Sequence, residues 1–373
     1  MIKFFSKIVL VLIIIAIAAC NEDNSNSQKL ASDSLEKINT IDTLALIKQL
    51  DTFPKINYKR VVVESKEHRS QLLKQFAYDS ANPAINKAVR TINRKELRFM
   101  RVGDTILVPE TYHENTLAYS IFPHFYPAGM NIDKIIFVSN RWQSYACYEN
   151  GKLVRFAAAN TGKEKTQTYA GRYSLVWKDR LRRSSIDSSW ILPYTWNFHR
   201  FAGSAFHKFD MPGYPASHSC IRQFMDDAKW LFSWGKGAKY DSSRVAIPFS
   251  GTPVIILDYY DFSRGRNGEW KSLKSNKDFF VELPSDPMKV EEALIPISQI
   301  PKEARGALPN RQRYLYAEDS LRASGHIREG VTITQSVNFN KLKRERAAAK
   351  RKKDSLNKLQ IQTEQSENVK IIK

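Results

Sequence analysis

Short β-like runs rich in apolar residues fill the middle of the chain. Residues 135–138, 144–148, 153–158 and 172–177 are strand candidates, separated by the turn pairs Asn150-Gly151 and Thr161-Gly162. Residues 226–234 change to helical spacing, with Asp226 or Asp227 as the cap and Gly235 as the stop. An apolar strand at 252–257 follows Ser250-Gly251. Earlier, 60–63 reads as a strand, 66–78 and 83–93 as helices and 105–109 as a closing strand, a βααβ order. A connector rich in proline and aromatics spans 117–130, and a short helix is expected at 33–50. Beyond Tyr260 the periodicity fades, and 347–358 reads as a solvated helix or as disorder. The pattern predicts a mainly β chain, with a small α/β domain in front and a basic helical or disordered tail behind.

The first twenty residues carry a different signal. Lys3 and Lys7 precede an unbroken apolar run of twelve residues, 8–19. That is short of the roughly 20 residues a membrane-spanning helix needs, but it suits the core of an export signal. The run ends Ile17-Ala18-Ala19-Cys20, which resembles a bacterial lipobox and implies a mature chain that begins at a lipidated Cys20. The alternative is an uncleaved N-terminal anchor in which Cys20 plays no role. Either way the chain is exported and held at a membrane, facing the periplasm of the cell envelope. Residues 21–34 are rich in Asn and Ser and open a flexible tether that runs to 55.

Composition adds three constraints. With 42% hydrophobic and 12% aromatic residues the chain can bury a core, and all seven tryptophans fall between Trp142 and Trp270, so the best-packed domain is expected there. The net charge of +20 would suggest nucleic acid in a cytosolic protein, but an exported one meets anionic membrane or cell-wall polymer instead. Residues 341–373 hold 11 Lys/Arg against 4 Asp/Glu, a basic tail of +7 net. There are three cysteines, Cys20, Cys147 and Cys220. With Cys20 lipidated, two thiols make no disulfide framework. Cys147 lies in an alternating run and reads as a buried strand residue.

Cys220 has unusual neighbours. His207 precedes it by 13 residues across a turn rich in Pro and Gly, and Ser217, His218, Ser219 and Arg222 surround it. A thiol reacts as thiolate, and a nearby imidazole can take its proton and store it as imidazolium, which is the logic of cysteine acyl transfer. A hairpin across the turn would bring His207 to Cys220. The other histidines are scattered without metal-ligand spacing, and no metal or cofactor is implied.

The stretch from His207 through Ser217-His218-Ser219-Cys220-Ile221-Arg222 resembles the signature of the L,D-transpeptidase (YkuD-like) catalytic domain. That signature is an upstream His followed by Ser-His-Gly-Cys, an aliphatic residue and Arg or Asn. The opening strands at 134–162, the turn Thr168-Tyr169-Ala170-Gly171 and the strand start Gly251-Thr252-Pro253-Val254 also resemble the family. Two positions depart from it: Ser219 stands for glycine, and Tyr169 for the proline of the Thr-Pro-x-Gly turn. The 58–110 region resembles a LysM glycan-binding module most at its C-terminal end, and lacks the Gly-Asp-Thr turn usual after the first strand. The domains implied are a signal at 1–20, a tether at 21–55, a LysM-like domain at 58–110, a catalytic β-sandwich with a short helix at 132–258, and an extension at 259–373 with the basic tail from 341.

The resemblance implies an enzyme acting on peptidoglycan stem peptides, with Cys220 as nucleophile and His207 as base and then acid. Ser217 would orient His207, His218 would line the pocket or orient the thiol, and the backbone amides of Ser219 and Cys220 would receive the oxyanion. Arg222 would bind a substrate carboxylate or brace the loop, and Tyr214 would touch substrate. Two other outcomes stay open: a cysteine L,D-carboxypeptidase on the same stems, or an inert wall-binding lipoprotein.

Overall fold

The computed structural model describes residues 51–77, 83–187, 189–337, 347–358 and 360. Cys20, the signal segment, the helix expected at 33–50 and most of the tether lie outside the described residues. The chain divides into two compact units, 1–52 and 53–373, and every element named below belongs to the second.

Strand β1 (Tyr58–Val62) pairs antiparallel with β2 (Thr105–Pro109), with helices α1 (Lys66–Gln75) and α2 (Pro83–Asn93) between them. The hydroxyl of Ser65 caps α1 by accepting the His68 N–H at 3.1 Å. Pro83 opens α2, where its missing N–H leaves no helical bond unmade. One face of this region closes a small core of Val63, Leu72, Phe76, Val89 and Ile106. The other turns outward: Ala88 and Ile92 of α2 join Phe122, Phe137 and Tyr148 in a second core. This shared core includes residues on both sides of position 110.

The central sheet contains β3 (Ile135–Ser139), β4 (Ser144–Glu149), β5 (Lys152–Ala158), β6 (Gly171–Ser174) and β11 (Pro253–Ile256), in the order β5-β4-β3-β11-β6. Successive side chains in a strand point to opposite faces, and here the alternation sorts residues between two cores. Ile135 and Phe137 of β3, Ala146 and Tyr148 of β4 and Ile255 of β11 face the core shared with α2. Ile136, Val138, Tyr145, Cys147, Val254 and Ile256 face the other way. The Cys147 thiol is thus fully buried.

On that other face lies a four-stranded sheet in the order β10-β9-β8-β7, made of β7 (Lys178–Arg183), β8 (Ile191–His199), β9 (Ser204–Lys208) and β10 (Ile221–Gln223). Trp196, Phe198, Phe206 and Ile221 fill the space between the sheets, with Leu231 of helix α3 (Met225–Trp234). Helix α3 is capped at Phe224, two to three residues before the expected Asp226 or Asp227, and its two acids serve other ends. Asp227 is buried and meets Arg155 at 2.6 Å, and Asp226 meets Arg90 of α2 at 2.7 Å.

Residues after 258 are not an appendage. Ala293, Ile295, Ile300, Leu308, Ile327 and Ile333 enter the core between the sheets, and Trp270 and Val281 enter the other. Helix α4 (Arg311–Ala323) buries Tyr314, Ala317 and Leu321, one stripe at spacings of three and four. Residues 347–358 are helical and exposed.

Candidate active site

Strands β9 and β10 run parallel, with Phe206 opposite Ile221 and Arg222 opposite His207. The loop between them must therefore return to the start of β9, which brings Cys220, just before β10, beside Gly203 and Ala205. The thiol reaches toward the Gly203 carbonyl at 3.8 Å. The segment 160–163 holds the loop through isolated bridges to Arg222 and Ser217. Asn160 and Arg222 exchange both backbone bonds, at 3.1 and 3.0 Å, and the Asn160 side chain accepts the Gly213 N–H at 2.9 Å. Thr161 accepts the N–H groups of Ala216 and Ser217 at 3.0 Å each, and Lys163 donates to the Ser217 carbonyl at 3.0 Å. A Cβ at Gly162 would stand 2.2 Å from the Thr166 carbonyl oxygen, so only glycine fits where the chain folds back on residues 166–168.

His207 is buried, and its Nδ1 lies 3.0 Å from the Lys208 carbonyl. A carbonyl only accepts, so Nδ1 carries the hydrogen and Nε2 keeps its lone pair. This corrects the expected role of Ser217, whose hydroxyl instead donates to the carbonyl of Cys220 at 2.5 Å. The His207 ring nitrogen takes its partner from its own strand, the Lys208 carbonyl, and the Ser217 hydroxyl is used within the loop. His218 Nε2 lies 2.9 Å from the Lys163 ammonium, a pure donor. Its lone pair is therefore engaged.

Ser219 takes φ = 76°, the left-handed region that glycine enters freely. Its hydroxyl meets that of Ser204 at 2.8 Å, and its carbonyl accepts from Thr168 at 3.1 Å. The Arg222 guanidinium donates to the Asp210 carbonyl at 3.1 Å and lies 4.7 Å from the centre of the Phe209 ring. Tyr214 does not belong to the cavity: its ring packs under Arg266, 4.8 Å from the guanidinium carbon.

Cys220, His207, Ser217, His218 and Arg222 share one cavity of about 70 Å³. Burial dominates its electrostatics. It pushes the Cys220 thiol up to about 11, against weaker opposing help from the Ala205 backbone and Arg222. It pushes His207 down to about 4, opposed in part by the bond to the Lys208 carbonyl, with the charges of Arg222 and Lys208 adding to the lowering. His218 is likewise held at about 4, by burial and then by Lys163 and Arg222. Desolvation favours the neutral form of each group, which fits His207 as a general base better than a stored thiolate–imidazolium pair.

Several walls of the site carry no signal in the sequence. Trp177, Arg182 and Trp190 come from the β7–β8 hairpin, and Arg200 follows it. Lys163 is marked only by the turn before it. Among the described residues, no group of three or more His, Cys, Asp or Glu is placed to hold a metal ion.

Residues 133–256, about a third of the chain, match the model of the YkuD family, the L,D-transpeptidase catalytic domain. No curated protein matches the chain. Among solved structures, the L,D-transpeptidase (Yku) from Stackebrandtia nassauensis shares 20% identity, covering 39% of this chain and 65% of its own, with a TM-score of 0.30. L,D-transpeptidase 1 of Mycobacterium tuberculosis shares 20%, covering 34% and 62%, at 0.25. The L,D-transpeptidase from Xylanimonas cellulosilytica shares 21%, covering 55% and 99%, at 0.32. The chain spans 65%, 59% and 62% of the length of the first three structures it matches. By its family match, the segment 133–256 is similar to the L,D-transpeptidase catalytic domain.

Proposed function

We propose that the chain is an L,D-transpeptidase that acts on peptidoglycan stem peptides through an acyl-enzyme on Cys220. The observation that carries this reading is the parallel β9–β10 pair, which sets a buried, tautomer-fixed imidazole and a thiol on one cavity within the family-matched segment. His207 Nε2 takes the thiol proton as sulfur attacks the carbonyl that precedes the terminal D-alanine. The carbon–sulfur bond forms, and the developing oxyanion is received by the backbone amides of Ser219 and Cys220. The carbon–nitrogen bond breaks, D-alanine leaves with the proton from His207, and a thioester remains. An amine from a second stem then gives its proton to His207, attacks the thioester and releases the thiol. Arg222 braces the loop through Asp210 and offers its remaining donors to a substrate carboxylate. His218, tied to Lys163, shapes the pocket and is not the base.

The same proposal places the protein at the membrane through a lipid on Cys20, facing the periplasm, with peptidoglycan as its partner. Among the described residues no helix is long and apolar enough to cross a membrane. Incubating the protein with a tetrapeptide stem, with and without an acceptor stem, tests the reading. A cross-linked product that requires Cys220 and the acceptor is expected. Release of D-alanine at one rate regardless of acceptor, with no cross-link, would assign a carboxypeptidase instead. No turnover at all would reject both.

A further inference from the structure

A wall of the cavity comes from far beyond the family-matched segment. Ser336 and Val337 line the same cavity as Cys220 and His207. They end a stretch that is pinned along its length. Ile327 and Ile333 are buried in the core between the sheets, and Arg328 pairs with Glu164 at 2.5 Å. The Thr334 N–H donates to the Lys165 carbonyl at 2.9 Å, and the Ser336 N–H to that of Gln299 at 3.0 Å. Ser336 is wholly buried, and its hydroxyl donates to the Ala202 carbonyl at 2.5 Å. The next side chain, Val337, lies on Gly203: a Cβ added to that glycine would stand 2.6 Å from Val337 Cγ1. Gly203 is the residue whose carbonyl the Cys220 thiol faces.

We propose that residues 331–337 form a strap that completes the substrate-binding wall, and that Val337 limits the size of the group that can lie beside the Cys220 thiol. The inference rests on Cys220 being the reacting thiol, as in the function proposed above. Valine suits the task because its branched side chain is stiff at χ1 and cannot swing aside as a longer one would. Two anchors just before it, Ser336 on the 202 carbonyl and Thr334 on the 165 carbonyl, hold it in place. The substrates admitted are those with a small flanking residue on that side, of the size of glycine or alanine.

The test compares alkylation of Cys220 in the full chain by iodoacetamide and by the bulkier N-benzyl iodoacetamide, read at the Cys220 peptide by mass spectrometry. Val337→Gly should raise the ratio of bulky to small labelling at least about tenfold, the discrimination usual for a methylene or more in a close-fitting pocket. Val337→Leu should lower it. If the glycine variant does not fold, the leucine variant alone decides. A wild-type ratio in the folded variants overturns the strap as a size filter. That failure is separable from failure of the enzymatic reading. A stem acyl-enzyme with unchanged ratios would remove only the strap, whereas shifted ratios without any acyl-enzyme would remove only the transpeptidase.

Discussion

Exchange of Ser219 for glycine sets two effects against each other. At φ = 76° a residue with a Cβ is strained by roughly 1–2 kcal/mol, which glycine would relieve. Glycine also widens the unfolded ensemble, at a cost of roughly 0.5–1 kcal/mol. The larger effect is at Ser204. Its buried hydroxyl meets that of Ser219 at 2.8 Å. Removing one partner leaves the other buried and unpaired, which costs about 1–3 kcal/mol. With mid-range values, Ser219→Gly should destabilise the protein by about 1 kcal/mol, although it restores the residue of the family signature. Adding Ser204→Ala removes the orphaned hydroxyl and should recover about 1–2 kcal/mol. Urea unfolding of the wild type, both single variants and the double variant at pH 7 measures all the terms as a cycle. A Ser219→Gly protein more stable than the wild type, or a double variant no more stable than Ser219→Gly, would refute the argument.

Two further outcomes follow from the site. Iodoacetamide labelling of Cys220 should climb with pH from 7 through 10, because burial holds the thiol near 11 and the neutral form dominates at rest; a plateau reached by pH 6 would show a preformed thiolate pair. Asn160→Ala removes the side-chain bonds to the Arg94 carbonyl at 3.0 Å and the Gly213 N–H at 2.9 Å. It should cost about 2–3 kcal/mol in urea unfolding and slow labelling of Cys220; unchanged stability would show that the 160–163 segment does not need it.

The central sheet was legible because its strands are buried on both faces and bounded by turn residues. Residues 135–138, 144–148 and 153–158 fall within β3, β4 and β5. The second sheet was not. β7 reads Lys-Asp-Arg-Leu-Arg-Arg, a solvent-facing edge with a single apolar residue, and β8 carries Pro193, which argues against a strand. The packing of 259–337 was hidden for another reason. Its buried residues, among them Ala293, Ile295, Ile300 and Ile333, are isolated on irregular chain where neither period applies. Helix α4 does show its stripe and was readable. At the site, residue types and spacing brought Cys220, His207 and Arg222 to one place. The partners of Ser217 and His218 depend on Lys163 and on a tight turn, which spacing alone does not convey. Tyr214 stood in the right loop, but the turn around it points the ring elsewhere.

Intact-mass analysis after incubation with a tetrapeptide stem or a carbapenem tests the central claim most directly. Wild-type protein should gain one acyl adduct, localised by peptide mapping to Cys220. Cys220→Ala should gain none, Cys147→Ala should acylate normally at some cost in stability, and His207→Ala should be as inert as Cys220→Ala. His218→Ala should still acylate, more slowly. A wild-type protein without an adduct, an adduct that survives in Cys220→Ala, or a His218→Ala protein more impaired than His207→Ala would contradict the assignment.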